Sequence, residues 1–179
     1  MASGQRAAAS HTGALAVAGG DHDDQFPVDI YQTGSGTSTN MNANEVLANI
    51  ALEMSGHKKG EYQFIEPHDD LNMGQSTNDV YPTSLKLATY RGCQHLLICM
   101  TSLQEAFEEK AIEFKDLLKV GRTQLQDAVP MTLGQEFTTY AIMLGEDEAR
   151  LSEAMALIQE INLGATAIGT GINTDPEYA

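Results

Sequence analysis

Tryptophan is missing from this sequence and cysteine occurs twice, while basic residues are scarce: 10 Lys and Arg stand against 25 Asp and Glu, a formal net charge of −15 at pH 7. A nucleic-acid binder needs a basic stripe to displace phosphate counterions, and none is present. Attraction to an anionic membrane surface is excluded on the same ground. No run approaches the roughly 18 apolar residues of a bilayer span, so no membrane partner is expected. The two cysteines, Cys93 and Cys99, sit in a stretch of helical periodicity. Their spacing puts them on different faces, too far apart for a disulfide, and two thiols alone cannot frame a zinc site. Strand signals are nearly absent as well, which predicts an all-α fold. These absences describe a soluble, acidic protein of a reducing compartment, and its expected location is cytoplasmic.

What is present begins with 179 residues, of which 42% are hydrophobic, enough to bury a sizeable core. The first 20 residues hold 7 Ala and 4 Gly with no sustained period, and residues 1–25 read as a disordered leader. Its weakly apolar part is broken by His11, Thr12 and Gly13, which argues against a secretory signal. Ordered structure is expected from Phe26-Pro27-Val28 onward.

Helical signals dominate the rest. Asn42 stands three residues before Glu45, a capping-box-like start, and Gly56 is the expected stop. Between them Val46, Leu47, Ile50, Ala51 and Met54 recur at helical spacing. A second helix is predicted after Ser76-Thr77-Asn78-Asp79, with Pro82 in its first turn. From Leu85 through Thr89, Cys93, Leu96, Met100, Leu103, Phe107, Lys110 and Phe114 to Leu117 the stripe steps by threes and fours. A helix from about Thr83 to Val120 would reach about 55 Å at 1.5 Å per residue. Thr132 and Gln135 form a further capping box, opening a helix through Leu133, Phe137, Tyr140, Leu144, Leu151, Met155 and Ile158. The tail, LGATAIGTGINTDPEYA, is punctuated by glycine and reads as turn. Two long neighbouring helices cannot cover their apolar stripes alone, so helices from elsewhere in the chain or from other chains are expected against them.

Three polar segments flank these helices: Ser35-Gly36-Thr37-Ser38, Ser76-Thr77-Asn78 and Thr123-Gln124. Taken singly, Ser, Thr and Asn before a helix are helix caps. Taken together they offer neutral donors beside exposed backbone N–H groups, an arrangement suited to carboxylates or to a developing oxyanion. TGSGT looks like a phosphate loop, but no Gly-Lys-Ser/Thr follows it and no strand precedes it. His57 and His95 read as surface or packing residues. His68-Asp69-Asp70 reads as a solvated turn, so no metal site is expected. The acidic run at Glu105, Glu108 and Glu109 reads as solvated helix surface.

In order and spacing, GSGTSTNMNANEV, GQSTND and GRTQLQDAVPMTLGQEF, followed by LGATAIGTGINT, resemble the aspartase/fumarase superfamily. The resemblance runs from about Phe26 to the end of the chain. GHKKGEYQFI and Gln124 are similar to the ammonia-lyase branch, since fumarases place a histidine at the Gln124 position. The resemblance implies a partial long-helix bundle with polar loops at its helix ends. Residues 26–80 would be the end of an N-terminal domain carrying substrate loops, and 81–179 part of a central bundle.

It also implies reversible deamination of L-aspartate to fumarate and ammonia, without a cofactor. A base removes a proton from the carbon beside one carboxylate, charge moves into that carboxylate as an aci-carboxylate, and ammonia departs. Ser35, Gly36, Thr37, Ser76, Thr77, Asn78, Thr123 and Gln124 are the implied contacts to the small dicarboxylate substrate. The family's base is a serine in a GSSxMPxKxNP type of segment, and none occurs in these 179 residues. The chain is therefore expected to be an interior piece of a longer enzyme, inactive by itself. A second-site motif written HPND in the family reads Glu66-Pro67-His68-Asp69 here. Family members are tetramers with a shared bundle, so a homotetramer is the expected assembly of the full-length enzyme. The competing readings are a class II fumarate hydratase and a non-catalytic helical oligomerisation module.

Overall fold

The computed structural model describes residues 3–32 and 35–178. Its elements are α1 (Ser3–Ala18), a 3-10 turn (Asp23–Gln25), α2 (Thr37–Met54), a π-helical turn (Pro67–Leu71) and α3 (Thr77–Glu113), then β1 (Leu118–Thr123), β2 (Gln126–Thr132) and α4 (Leu133–Leu157). The long-helix architecture is the expected one, with a two-stranded antiparallel sheet added to it. The chain forms two compact units, one of Met1–Leu85 with Ile161–Ala179 and one of Lys86–Glu160. The sequence places its boundary near residue 80 and keeps the tail with the bundle; in the structure the tail from Ile161 belongs to the first unit.

In the first unit the Ala-rich opening is a helix of 16 residues, where the sequence predicts a disordered leader. Alanine carries the highest helix propensity. Gly13 also lets α1 lie close on α2, since a Cβ there would stand 3.0 Å from Ile50 Cγ2. Arg6 pairs with Asp70 at 2.9 Å. The core is small: Ala48, Ala51 and Leu52 of α2 pack on Ile65, with Ala9, Tyr62 and Leu71 around them.

Helix α2 starts at Thr37, five residues ahead of the expected Asn42 start. Gly36 is its N-cap at φ 94°, and the Thr39 N–H donates to Gln32 Oε1 at 2.9 Å. A carboxamide arriving from outside the helix thus satisfies a donor that the first turn leaves unpaired. Asn42 lies one turn inside and donates to the Gln25 carbonyl at 2.9 Å. The stop is the expected one: Gly56 adopts φ 80°, its N–H donates to the Glu53 carbonyl at 3.0 Å, and the His57 N–H donates to Leu52 at 2.9 Å. That bond pair is the Schellman closure, and it needs the left-handed residue that glycine supplies.

Pro82 falls in the second turn of α3, not its first. Proline there removes the N–H that would bond the Asn78 carbonyl. The Asn162 side-chain amide donates to that carbonyl instead, so the tail satisfies what the proline leaves open.

In the second unit α3 ends at Glu113, short of the predicted Val120. The Leu133 N–H donates to the Leu117 carbonyl at 2.8 Å, and the Gly134 N–H to Phe114 at 3.0 Å. Unpaired donors at the start of α4 therefore meet unpaired acceptors just past the end of α3. Gly134 makes this approach possible, because a Cβ would stand 2.8 Å from the Lys115 nitrogen. The predicted Thr132–Gln135 capping box is present, with bonds of 2.9 and 3.1 Å. Phe107 and Phe114 meet Phe137 edge-on, at centroid distances of 5.8 and 5.3 Å. Between the helices β1 pairs with β2 from Leu118↔Thr132 to Thr123↔Gln126, with a bulge between Val120 and Arg122. These strands carry Gly121, Pro130 and three charged residues, Lys119, Arg122 and Asp127, and so lack the apolar alternation that announces a strand.

Candidate functional site

The first unit brings two of the three polar segments together. Ser35 and Gly36 form a left-handed pair, at φ 52° and 94°, that turns the chain into α2. Only glycine fits the second of these places, because any Cβ would run into the Tyr81 ring. Thr37, the first residue of α2, is exposed. Thr33 and Gly34, which open the TGSGT segment, lie outside the described residues.

Ser76-Thr77-Asn78 forms the start of α3. The Ser76 N–H donates to Asp79 Oδ2 at 2.7 Å, while Ser76 Oγ accepts from the Asn78 N–H at 3.2 Å. Asp79 thus makes the return bond of a capping box, while the Ser76 hydroxyl caps the second position of the helix instead of the third. Asp79 is fully buried, and its other oxygen accepts from the Thr166 N–H at 2.9 Å. One carboxylate thus ties the start of α3 to the tail. Asn78 reaches the same tail, donating from Nδ2 to the Ala167 carbonyl at 2.7 Å. The Tyr178 phenol receives the Gln75 amide, and its pKa is raised first by burial and then by the negative charge of Asp79.

Asn40, one turn into α2, donates from Nδ2 to Thr77 Oγ1 at 3.1 Å. The starts of the two helices therefore lie side by side, their backbone N–H groups and dipoles adding positive potential to one region. Asn40 and Asn44 are both buried, and each donates to Asn72 Oδ1, at 3.3 and 3.2 Å. An open cleft of about 410 Å³ borders this region and is lined by Ser76 together with His68, Asp69, Asn72, Gln75 and Thr166. Of the predicted contact residues, Ser76 is the one that lines it.

Thr123 and Gln124 lie in the second unit, at the tip of the β1–β2 hairpin. Thr123 pairs with Gln126, leaving a two-residue turn of Gln124 (φ 49°) and Leu125 (φ 63°). Two consecutive positive φ values define a type I′ turn, which favours Asn-Gly and is strained for side chains such as these. Thr123, Gln124 and Leu125 are exposed.

Glu66-Pro67-His68-Asp69 is a compact turn in which Glu66 accepts from the His68 and Asp69 N–H groups at 2.6 Å. Among the described residues no group of three His, Cys, Asp or Glu side chains is arranged to hold a metal ion. Both cysteines are free thiols, and His57 stacks on Phe64 at 3.9 Å between ring centroids. Sequence reasoning missed Gln32, Asn40, Asn72, Asp79 and Thr166. Of these only Asp79 had a local signal, three residues after Ser76.

Comparison with known proteins converges on one family. The profile of the lyase family matches residues 2–179. Aspartate ammonia-lyase of Escherichia coli strain K12 is 59% identical over 156 residues, covering 87% of this chain and 33% of that protein. The enzyme of the same name from Pseudomonas fluorescens is 61% identical over 160 residues, covering 89% and 34%. The chain thus spans about a third of the length of the curated relatives it matches. Among solved structures, fumarate lyase:delta crystallin from Brucella melitensis bound to cobalt superimposes with a TM-score of 0.93 at 52% identity, over 98% of this chain and 38% of that one. A recombinant class II fumarase from Schistosoma mansoni gives 0.91 at 36% identity, over 97% and 36%.

Proposed function

The chain belongs to the lyase family, and we propose that it forms part of an enzyme that reversibly deaminates L-aspartate to fumarate and ammonia. The observation that carries this reading is the pairing of two helix starts, α2 and α3, through the Asn40–Thr77 hydrogen bond at 3.1 Å. Thr37, Ser76, Thr77 and Asn78 supply hydroxyl and amide groups there, and these groups are neutral. They hold a substrate carboxylate without being titrated by the ammonia that leaves. Deprotonation of the carbon beside that carboxylate puts a second negative charge on it. Fixed donors and helix dipoles then bind the aci-carboxylate more tightly than the ground state, which lowers the barrier. Elimination returns the electron pair to the new carbon–carbon double bond and expels ammonia.

Thr123 and Gln124 belong to the same reading as substrate contacts, with Gln124 in place of the histidine of fumarases. Hydration chemistry is the second reading, favoured by the fit to a class II fumarase at TM-score 0.91. The acidic surface, at −15 overall, repels a dicarboxylate at long range, so capture depends on these local donors. The full-length enzyme is read as a cytoplasmic homotetramer. Support comes from the exposed apolar residues along α3 and α4, including Leu96, Ile98, Leu103, Ile142 and Met143, and no described helix is long and apolar enough to cross a membrane.

A chimera tests the proposal: this chain replaces the matching segment of the Escherichia coli aspartate ammonia-lyase. Ultraviolet detection of fumarate is expected to show turnover of L-aspartate and none of L-malate. A folded chimera that consumes malate, or neither compound, overturns the assignment. The 179-residue chain by itself is expected to form no fumarate, since it contains no GSSxMPxKxNP-type segment to supply the base.

A further inference from the structure

We propose that Asn40 is a positioning residue that fixes the polarity of the Thr77 hydroxyl, making it a hydrogen-bond donor to an anionic ligand. This inference rests on the reading of Thr77 as a carboxylate contact. It follows from a relay of amides whose direction is set at one end. The Gln75 carbonyl can only accept, and Asn72 Nδ2 donates to it at 3.1 Å. Asn72 must therefore turn its oxygen the other way, toward Asn40 and Asn44, which approach it through their nitrogens at 3.3 and 3.2 Å. A backbone carbonyl thus decides which end of each of these amides faces its neighbour.

Asn40 Nδ2 carries two protons. One goes to Asn72 Oδ1, and the second points at Thr77 Oγ1, 3.1 Å away. A threonine hydroxyl that accepts from an amide keeps its own proton for another partner. Among the described residues the Thr77 hydroxyl makes no hydrogen bond as a donor. A carboxylate and an aci-carboxylate are acceptors only, so a hydroxyl held in the opposite sense would present a lone pair to them and repel them. Asn40 is buried at 4% exposure and Asn44 is buried beside it, so the Asn40 end of the relay is shielded from competing water, while Asn72 borders the cleft. An isolated Thr77 would choose its own rotor; here the choice is made before the ligand arrives, which is preorganisation of the kind an oxyanion site requires.

The test combines a double-substitution cycle with a ligand-free measurement on the chain itself. Calorimetry with succinate as the dicarboxylate probe is run on the parent chain, Asn40→Leu, Thr77→Val and the double variant. Asn40→Leu removes the donor without adding charge. It is expected to weaken succinate binding by about 5-fold in the parent and by less than about 2-fold beside Thr77→Val, the coupling of residues that act through one contact. Equal weakening in both backgrounds overturns the proposal, since a merely structural role for Asn40 would act without Thr77.

Side-chain amide NMR of the free chain is the second readout. Thr77→Val is expected to shift one Asn40 Nδ2 proton upfield and leave the Asn44 pair in place; an unmoved Asn40 resonance overturns the proposal. If the parent binds no succinate, the substrate reading fails while the amide resonances still decide the polarity of Thr77. They decide it equally if Asn40→Leu does not fold.

Discussion

The two units spend their apolar and polar residues in opposite ways. In the first, Ala48, Ile50, Ala51, Leu52 and Ile65 are buried, and so are the polar side chains of Asn40, Asn44, Asp79 and Thr166. In the second, Ala141 and Met155 are buried while Leu96, Ile98, Leu103, Ile112, Ile142, Met143 and Leu157 are exposed. The first unit holds its candidate contact residues with internal hydrogen bonds, through the Asp79 carboxylate and the Asn72 relay. The second presents Thr123 and Gln124 on a turn held by strand pairing and by the Arg122–Asp127 ion pair at 3.1 Å. One half therefore has the means to fix a ligand contact from within, and the other displays its contacts without a packed support of its own.

The largest expected effect strikes the first unit. Gly36→Ala puts a Cβ on a residue at φ 94° and drives it into the Tyr81 ring, just where the chain enters α2. Left-handed strain and overpacking together are expected to cost about 2–4 kcal/mol in urea unfolding. Amide exchange should locate the loss: protection falls at Ala48, Ala51 and Leu52 and persists along α4. Equal loss in both units would break the contrast between them.

The second unit has its own tight place. A Cβ at Gly134 would meet backbone, 2.5 Å from the Ala111 carbonyl oxygen and 2.7 Å from Lys115 Cα, and backbone cannot swing aside. Gly134→Ala is expected to destabilise by about 1–3 kcal/mol and to expose the Phe137 cluster, read by loss of protection at the start of α4. An unchanged unfolding midpoint would mean that the α3–α4 junction yields easily, and the second unit would then be softer than its capping suggests.

Most of this architecture was legible because it is local. The long apolar stripe, the Gly56 stop and the Thr132–Gln135 box rest on steps of three to seven residues; the stop and the box lie where the sequence places them, and the stripe does as far as Lys110. What was missed is either non-local or of weak propensity. Gln32 caps α2 from seven residues before Thr39, and Asn72 meets Asn40 across 32 positions, so neither leaves a periodic trace. The Ala-rich opening reads as low complexity until Gly13 meets Ile50. The hairpin escaped because Leu117, just ahead of β1, continues the helical stripe and the turn residues are not Asn-Gly. The candidate contact residues stand out as motifs, whereas the bonds that hold them, from the Asp79 carboxylate to the tail and from Asn40 to the Asn72 amide, join distant positions and leave no sequence pattern.

The smallest effect has the opposite sign and sharpens the comparison furthest. Leu125 is fully exposed at φ 63°, beside Gln124 at φ 49°, so its side chain contributes nothing to packing within the unit. Glycine at this place removes the Cβ penalty of the left-handed region, although it also gives the unfolded chain more freedom. The first term is the larger, and Leu125→Gly is expected to stabilise the isolated chain by about 0.5 kcal/mol. In the first unit the second residue of the comparable left-handed pair, Gly36, already carries the residue its backbone prefers, while Ser35 before it, like Gln124, does not. A side chain kept against that preference, on a tip that carries Gln124, marks strain retained where function is expected rather than stability. Urea unfolding of Leu125→Gly decides the point: a lowered midpoint would show that Leu125 packs in solution, and the hairpin tip would then be supported from within, as the first unit is.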